Sequence, residues 1–191
     1  MRLTGVLYVV NGILDFTKEK SRSKPSEMRA FIIYRGMLKI KIKTFKDQIL
    51  PEIISKGDWI DLRAAEEYNL KPGEYKLLKL GVAMELPKGF EALVIPRSST
   101  FKSYGVLLAN SVGMIDGSYN GDDDEWRFPA YCLVEKPIHK GDRICQFRIQ
   151  LSQRATFWQK IKWFLNNKIK IINVEKLNTI NRGGIGSTGR K

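Results

Sequence analysis

The chain has 191 residues, 43% of them apolar, which is enough for one ordinary domain, short of two, and excludes disorder throughout. A single histidine, His139, and two cysteines, Cys132 and Cys145, outside any Cys-x-x-Cys pair exclude a zinc or disulfide framework and argue against His-dependent nucleophilic catalysis. The net charge of +13 raises a nucleic-acid partner, but the excess sits largely in residues 1–36 and 153–170, and the field of the remainder suits a small anionic substrate equally well. The cysteines read as reduced thiols of a cytoplasmic protein. His139, beside Pro137 and Lys140, reads as a solvated loop residue.

Residues 1–36 read as an N-terminal extension. Their apolar run from Leu3 to Leu14 is broken by Thr4, Gly5, Asn11 and Gly12 and falls short of a membrane span, and no small-residue cleavage site follows it. Lys18 to Glu27 is charged, broken by Pro25, and reads as a linker. From Met37 the pattern changes. Leu38, Ile40 and Ile42 alternate with lysines as in a half-buried strand, which makes Met37 the expected start of the domain. Further strands are expected over Trp59–Ala64, Lys76–Met84, Phe90–Ile95, Gly105–Leu108, Phe128–Val134 and Arg143–Ile149. Turns are expected at Lys71-Pro72-Gly73, Pro87-Lys88-Gly89 and Asp116-Gly117. Many short strands at this spacing indicate an all-β sandwich or barrel, the jelly roll among them. Within Arg154–Ile172, Phe157, Ile161, Phe164, Leu165 and Ile169 recur at helical spacing, so part of this stretch reads as an amphipathic helix inserted near 154–167. The tail from Asn181 is glycine-rich and has no core-forming pattern.

Five segments carry candidate chemistry. In Gly57–Ala65, Asp61 stands between apolar residues of a strand, so it faces either solvent or an interior cation. In Ile95-Pro96-Arg97-Ser98-Ser99-Thr100, three hydroxyls follow a strand. They cap a short helix, or they join free N–H groups as an anion site, and Arg97 is the natural bidentate partner of Asp61. Asn110 to Gly121 places a carboxylate, an amide and a phenol on one expected hairpin; a lone Asp-Gly would be only a turn. In Gly141-Asp142-Arg143-Ile144-Cys145-Gln146-Phe147, Gln146 is an inward polar candidate. Asn181 to Arg190 is no Walker loop, since Arg190 stands where lysine is required and the chain ends too soon for a helix.

In this order the segments resemble the five signature motifs of the homotrimeric dUTPase family, over about Met37 to Lys191. Pro96-Arg97-Ser98-Ser99, Gly113 to Gly121, Gly141 to Gln146 and Arg182 to Gly189 carry most of the likeness, and the wording is similar to Bacillus-type and phage members. The resemblance implies a β jelly roll of residues 37–180, with an insertion at about 153–167 and one short helix after the serines. It also implies a flexible arm of residues 181–191 and a homotrimer with shared active sites. The implied reaction turns dUTP into dUMP and pyrophosphate, keeping uracil out of DNA and supplying dUMP for dTMP synthesis. Asp116 would orient and activate the water that attacks the α-phosphorus. Arg97, Ser98, Ser99 and Gln146 would serve the phosphates. Asn110, with the backbone at Met114 and Ile115, would read uracil, and Tyr119 would exclude a ribose 2′-hydroxyl. Arg182, Gly186, Ser187 and Thr188 would close over the terminal phosphate, while Asp61 braces Arg97. Mg2+ would be held by substrate phosphates and waters, with no protein ligand.

The sequence departs from the family pattern at three points. Trp59 stands where the first motif usually has glycine, and Ile185 replaces the aromatic that usually stacks on uracil. The loop Asp122 to Arg127 is longer than in many members; Trp126 or Arg127 is a candidate substitute lid, and Trp126 is equally a core residue. Two rivals stand beside this reading. The related dCTP deaminases share the serine segment but carry tryptophan where Tyr119 stands and lack the glycine-rich arm. The 153–167 segment, aromatic and basic, is also a candidate surface for a regulatory protein partner. Neither a nucleic-acid partner nor a membrane span is expected.

Overall fold

The computed structural model describes residues 6–10, 13–17, 37–55, 57–165, 168–177 and 180–183. In chain order the strands are β1 (Val6–Val10), β2 (Ile13–Thr17), β3 (Leu38–Thr44), β4 (Ile60–Arg63), β5 (Tyr68–Asn69), β6 (Tyr75–Lys79), β7 (Val82–Glu85) and β8 (Phe90–Pro96). Helix α1 (Thr100–Tyr104) follows, then β9 (Val106–Leu108), β10 (Gly113–Ile115), β11 (Arg127–Cys132), β12 (Pro137–Ile138), β13 (Arg143–Leu151), α2 (Phe157–Leu165) and β14 (Ile169–Asn173). The architecture is all-β and jelly-roll-like. β1 and β2 form an antiparallel pair, with Val10 opposite Ile13; the expected linker after them lies outside the described residues.

The period-2 patterns fix the faces of the sheets. In β3, Leu38, Ile40 and Ile42 are buried and the intervening lysines point outward. β3 lies between antiparallel β7 and parallel β14. β13 lies between β8 and β4, with β10 on the far edge of β8, and β11 lies between β6 and β9. Trp126, Phe128, Phe147, Ile40, Ile42 and Leu78 fill the core between these layers. Trp126 meets Phe147 edge-on with ring centroids 5.3 Å apart. No helix among the described residues is long and apolar enough to cross a membrane.

Two expectations need correction. The single strand expected over Lys76–Met84 is two strands of different sheets, β6 and β7. The chain breaks at Gly81, whose φ of +65° is left-handed, and its N–H donates to Glu125 Oε1 (3.0 Å) instead of a neighbouring strand. The segment Asn110–Gly121 is not one hairpin. β9 pairs with β11 and β10 with β8, so this segment crosses from one sheet to another. The helix expected near 154–167 is α2, Phe157–Leu165, and Ile169, which falls on the same spacing, belongs to β14. A reciprocal cap holds the helix start: Gln159 Oε1 accepts from the Thr156 N–H at 2.7 Å, and the Gln159 N–H points to Thr156 Oγ1 at 3.4 Å. α2 rests on the body through Gln159, which donates to Lys88 O at 2.9 Å, and through Trp163, edge-on to Phe90 at 5.2 Å.

Candidate active site

Where the chain crosses between sheets it leaves a cavity of about 510 Å³. Val94 on β8 and Leu108 on β9 give it apolar walls, and Asn110, Asp116, Tyr119 and Arg182 bring polar groups to it. Met114 and Ile115 line it from β10, whose register opposite Leu93 and Ala92 fixes their position. A largely apolar concavity with few converging polar groups is what a nucleoside requires.

Asp116 stands just past the end of β10. Its Oδ1 accepts from both the N–H (2.8 Å) and the hydroxyl of Ser118, an arrangement typical of an Asx turn, and its Oδ2 pairs with Arg182 Nη1 at 2.9 Å. Partial burial pushes this carboxyl up, but Ser118 and the Arg182 guanidinium outweigh it and hold its pKa below the ordinary value. Asp116 is therefore an anion at neutral pH. Tyr119 is half-buried, and its hydroxyl donates to Glu125 O at 2.9 Å. Burial pushes the phenol pKa up, so the ring stays neutral as a wall of the cavity.

A second polar cluster forms where β4, β8 and β13 run side by side. Asp61 lies opposite Gln146, and Gln146 lies opposite Ile95. Asp61 Oδ1 pairs with Arg97 Nε at 2.8 Å, and Asp61 Oδ2 with Arg143 Nη1 at 3.2 Å. Gln146 Nε2 lies 3.4 Å from Pro96 O. The loop into α1 is tied by Thr100, whose hydroxyl accepts from the Arg97 N–H (2.8 Å) and donates to Ile144 O (2.9 Å). Ser99 holds the N-cap position but makes no side-chain capping bond, so of the three hydroxyls the buried Thr100 is the one that braces the loop. Ser98 is exposed.

The dUTPase family model matches residues 46–162. A prophage-derived deoxyuridine 5′-triphosphate nucleotidohydrolase of Bacillus subtilis is 51% identical, over 81% of this chain and 100% of that protein. The chain belongs to the dUTPase family. A deoxyuridine 5′-triphosphate nucleotidohydrolase of Neorickettsia sennetsu is 34% identical over 75% of this chain and 90% of its own length. The solved dUTPase of Streptococcus mutans shares the fold at TM-score 0.55 and 23% identity, covering 61% of this chain and 98% of that one. The phage phi11 dUTPase of S. aureus, solved with a structural Mg(II) ion, does so at TM-score 0.53 and 18% identity, covering 62% and 94%.

Of the residues expected in a dUTPase site, Asn110, Met114, Ile115, Asp116, Tyr119 and Arg182 share the cavity. Asp61, Arg97 and Gln146 share the second cluster, and with Ser98 and Ser99 they are not among the residues lining the cavity of the same chain. Gly186, Ser187 and Thr188, like Ile185, lie outside the described residues. Trp126 is fully buried, so it is core and not a lid; Arg127 is exposed and lines the cavity. Sequence reasoning missed Arg143 as a second cation on Asp61 and Ser118 as a brace for Asp116. The Asp-x-Ser spacing was a usable sign for the second. It also missed Asp124, which is 2% exposed.

Proposed function

We propose that this chain hydrolyses dUTP to dUMP and pyrophosphate, with Asp116 aligning the attacking water. The observation that carries the reading is an ionised Asp116 at a nucleoside-sized cavity walled by Tyr119 and flanked by Asn110. Uracil meets Asn110 and the backbone at Met114 and Ile115, and the deoxyribose lies against Tyr119, which leaves no room for a 2′-hydroxyl. Water attacks the α-phosphorus, the bond from that phosphorus to the α,β-bridging oxygen breaks, and pyrophosphate leaves. The water proton passes by way of Asp116 to solvent. Arg182 exchanges its Asp116 partner for the terminal phosphate, joined by Gly186, Ser187 and Thr188.

Arg97, Ser98, Ser99 and Gln146 serve the phosphates of a neighbouring subunit's cavity, because they stand outside their own. This supports a homotrimer with shared sites. So does an exposed apolar row, Tyr75–Tyr131–Leu107, running in register across β6, β11 and β9. Among the described residues no three acidic, histidine or cysteine side chains gather as a metal site. Mg2+ would arrive on the triphosphate, where it would neutralise phosphate charge. The reading places the enzyme in the cytoplasm, beside the nucleotide pool. Incubation with dUTP or dCTP and Mg2+, followed for pyrophosphate and ammonia, tests it. Pyrophosphate from dUTP alone is expected; ammonia from dCTP would point to deamination.

A second role is favoured by one observation. Phe157 (67%) and Phe164 (88%) are exposed on α2 beside Lys160 and Lys162, a surface suited to an acidic regulatory protein. Phe164→Ser with unchanged kinetics and oligomeric state would support it. Loss of the oligomer would assign this face to subunit packing.

A further inference from the structure

Among the described residues, Asp124 is a buried carboxylate with no cation as a hydrogen-bond partner. It is 2% exposed, and what compensates its charge is backbone N–H. Oδ2 accepts from Gly121 N at 2.8 Å and from Arg182 N at 3.0 Å, and Oδ1 accepts from Gly183 N at 3.3 Å. Two of these three donors belong to the C-terminal segment. The two preceding residues do similar work. Asp123 and Asn181 bond reciprocally: the Asp123 N–H donates to Asn181 Oδ1 (2.9 Å), and Asn181 Nδ2 donates to Asp123 Oδ2 (2.6 Å). Asp122 Oδ1 accepts from Leu177 N at 2.8 Å and pairs with Lys43 at 3.4 Å, and Leu177 is itself buried. Gly121 makes room for the approach, since a Cβ there would stand 2.8 Å from the Asn181 backbone nitrogen.

Three consecutive aspartates thus take hydrogen bonds from residues 177 to 183 of their own chain. The fixed backbone of Arg182 then carries its guanidinium to Asp116. We infer that the turn Asp122-Asp123-Asp124 is a dock for the C-terminal segment, and that Asp124 is a positioning residue that delivers Arg182 to the cavity of the same subunit. The inference rests on the reading of residues 181–191 as part of the dUTP site. The physical logic is mutual. Without the segment, Asp124 keeps one N–H for a buried charge; without Asp124, the segment loses the acceptor that fixes its backbone.

The test is a cycle of Asp124→Asn and a chain ending at Ile180, read by single-turnover dUTP hydrolysis and by the Kd of a non-hydrolysable dUTP analogue. Truncation lowers kcat/KM. Asp124→Asn is expected to lower it about 10–100-fold in the full chain, and by about twofold or less in the truncated one, where it has nothing to position. Asn181→Ala, at an exposed residue, is expected to act in the same direction with unchanged melting. Equal losses in both chain lengths, or no loss in the full chain, overturn the positioning role. Unchanged kinetics on truncation alone would instead overturn the reading of the arm. The same-subunit claim is tested by co-expressing an Asp116→Asn chain with the truncated chain under two affinity tags and purifying complexes that carry both. Mixed complexes with no activity above the parents are expected. Activity well above either parent would show that the arm crosses to another subunit.

Discussion

Replacing Asp61 by asparagine tests whether the second cluster is a prearranged phosphate site. The change is nearly isosteric. The amide oxygen can still accept from Arg97 Nε, but as a neutral acceptor, and charge-assisted bonds are about twice as strong as neutral ones. With net values of about 1.5–3 kcal/mol for the charged bond and about 0.5–1.5 for the neutral one, the loss at Arg97 is about 1–1.5 kcal/mol. The Arg143 pair is longer, at 3.2 Å, and Arg143 is exposed, so it contributes about 0–1 kcal/mol; the new amide N–H turns toward that guanidinium and removes it. The sum, about 1–2.5 kcal/mol, corresponds to a fall in Tm of roughly 2–10 °C for a chain of this size. Arg97 also loses the anchor that fixes its plane, so kcat/KM for dUTP should fall by about tenfold or more, the scale of a misplaced substrate-positioning group. Differential scanning fluorimetry and a pyrophosphate-release assay measure the two effects. A Tm within about 1 °C of the parent, together with kcat/KM within about twofold, would refute the reasoning by showing that the ion pairs carry neither stability nor orientation.

Asp116→Asn should retain nucleotide binding and lower turnover about 10²-fold or more, and near-normal turnover would remove Asp116 from the water. Ser118→Ala should raise the Asp116 pKa, because two bonds that favour the anion involve that residue and one is lost. Activity requires the anion and falls as pH drops through this pKa, so the acidic limb of kcat/KM should move to higher pH; an unmoved limb would show that another group sets it. UTP should be a very poor substrate if Tyr119 closes the cavity under the sugar, and comparable kcat/KM for UTP and dUTP would sink that role.

The legible parts of the site were those carried by residue chemistry at short range. Asp61 and Arg97 could be paired from a strand carboxylate and a nearby guanidinium, because a guanidinium matches a carboxylate bidentately. Asp116 and Tyr119 share one segment, so their meeting at one cavity needed no knowledge of the fold. Arg143 was not legible, since its reach to Asp61 depends on the β4–β13 pairing, which shifts register between Arg143 and Cys145. Asp122, Asp123 and Asp124 read only as part of a long loop, because their partners lie more than fifty residues away. Gly81 looked like a tolerated glycine inside one strand, and only its positive φ reveals a change of sheet. In α2 the helical period found the helix, yet Phe157 and Phe164 of its stripe point away, while Trp163 and Gln159, outside that stripe, make the contact. Periodicity finds a stripe; it does not say what covers it.

The electrostatics of Asp116 set what this carboxylate can do. Held anionic below the usual carboxylate range, it is a weak base, and bulk water has a pKa of about 15.7, so proton transfer ahead of attack is strongly uphill. In the proposed reaction its contribution would therefore be to hold a water in line and to accept the proton only as the new P–O bond forms, a role that would survive tuning by Ser118. On that reading the larger share of the barrier would fall to groups that meet negative charge on the phosphates and on the departing pyrophosphate: Arg97, Arg182 and a cation carried by the substrate. In the proposed reaction the incoming triphosphate, with more charge, would draw the Arg182 guanidinium from Asp116 and leave the carboxylate to the water.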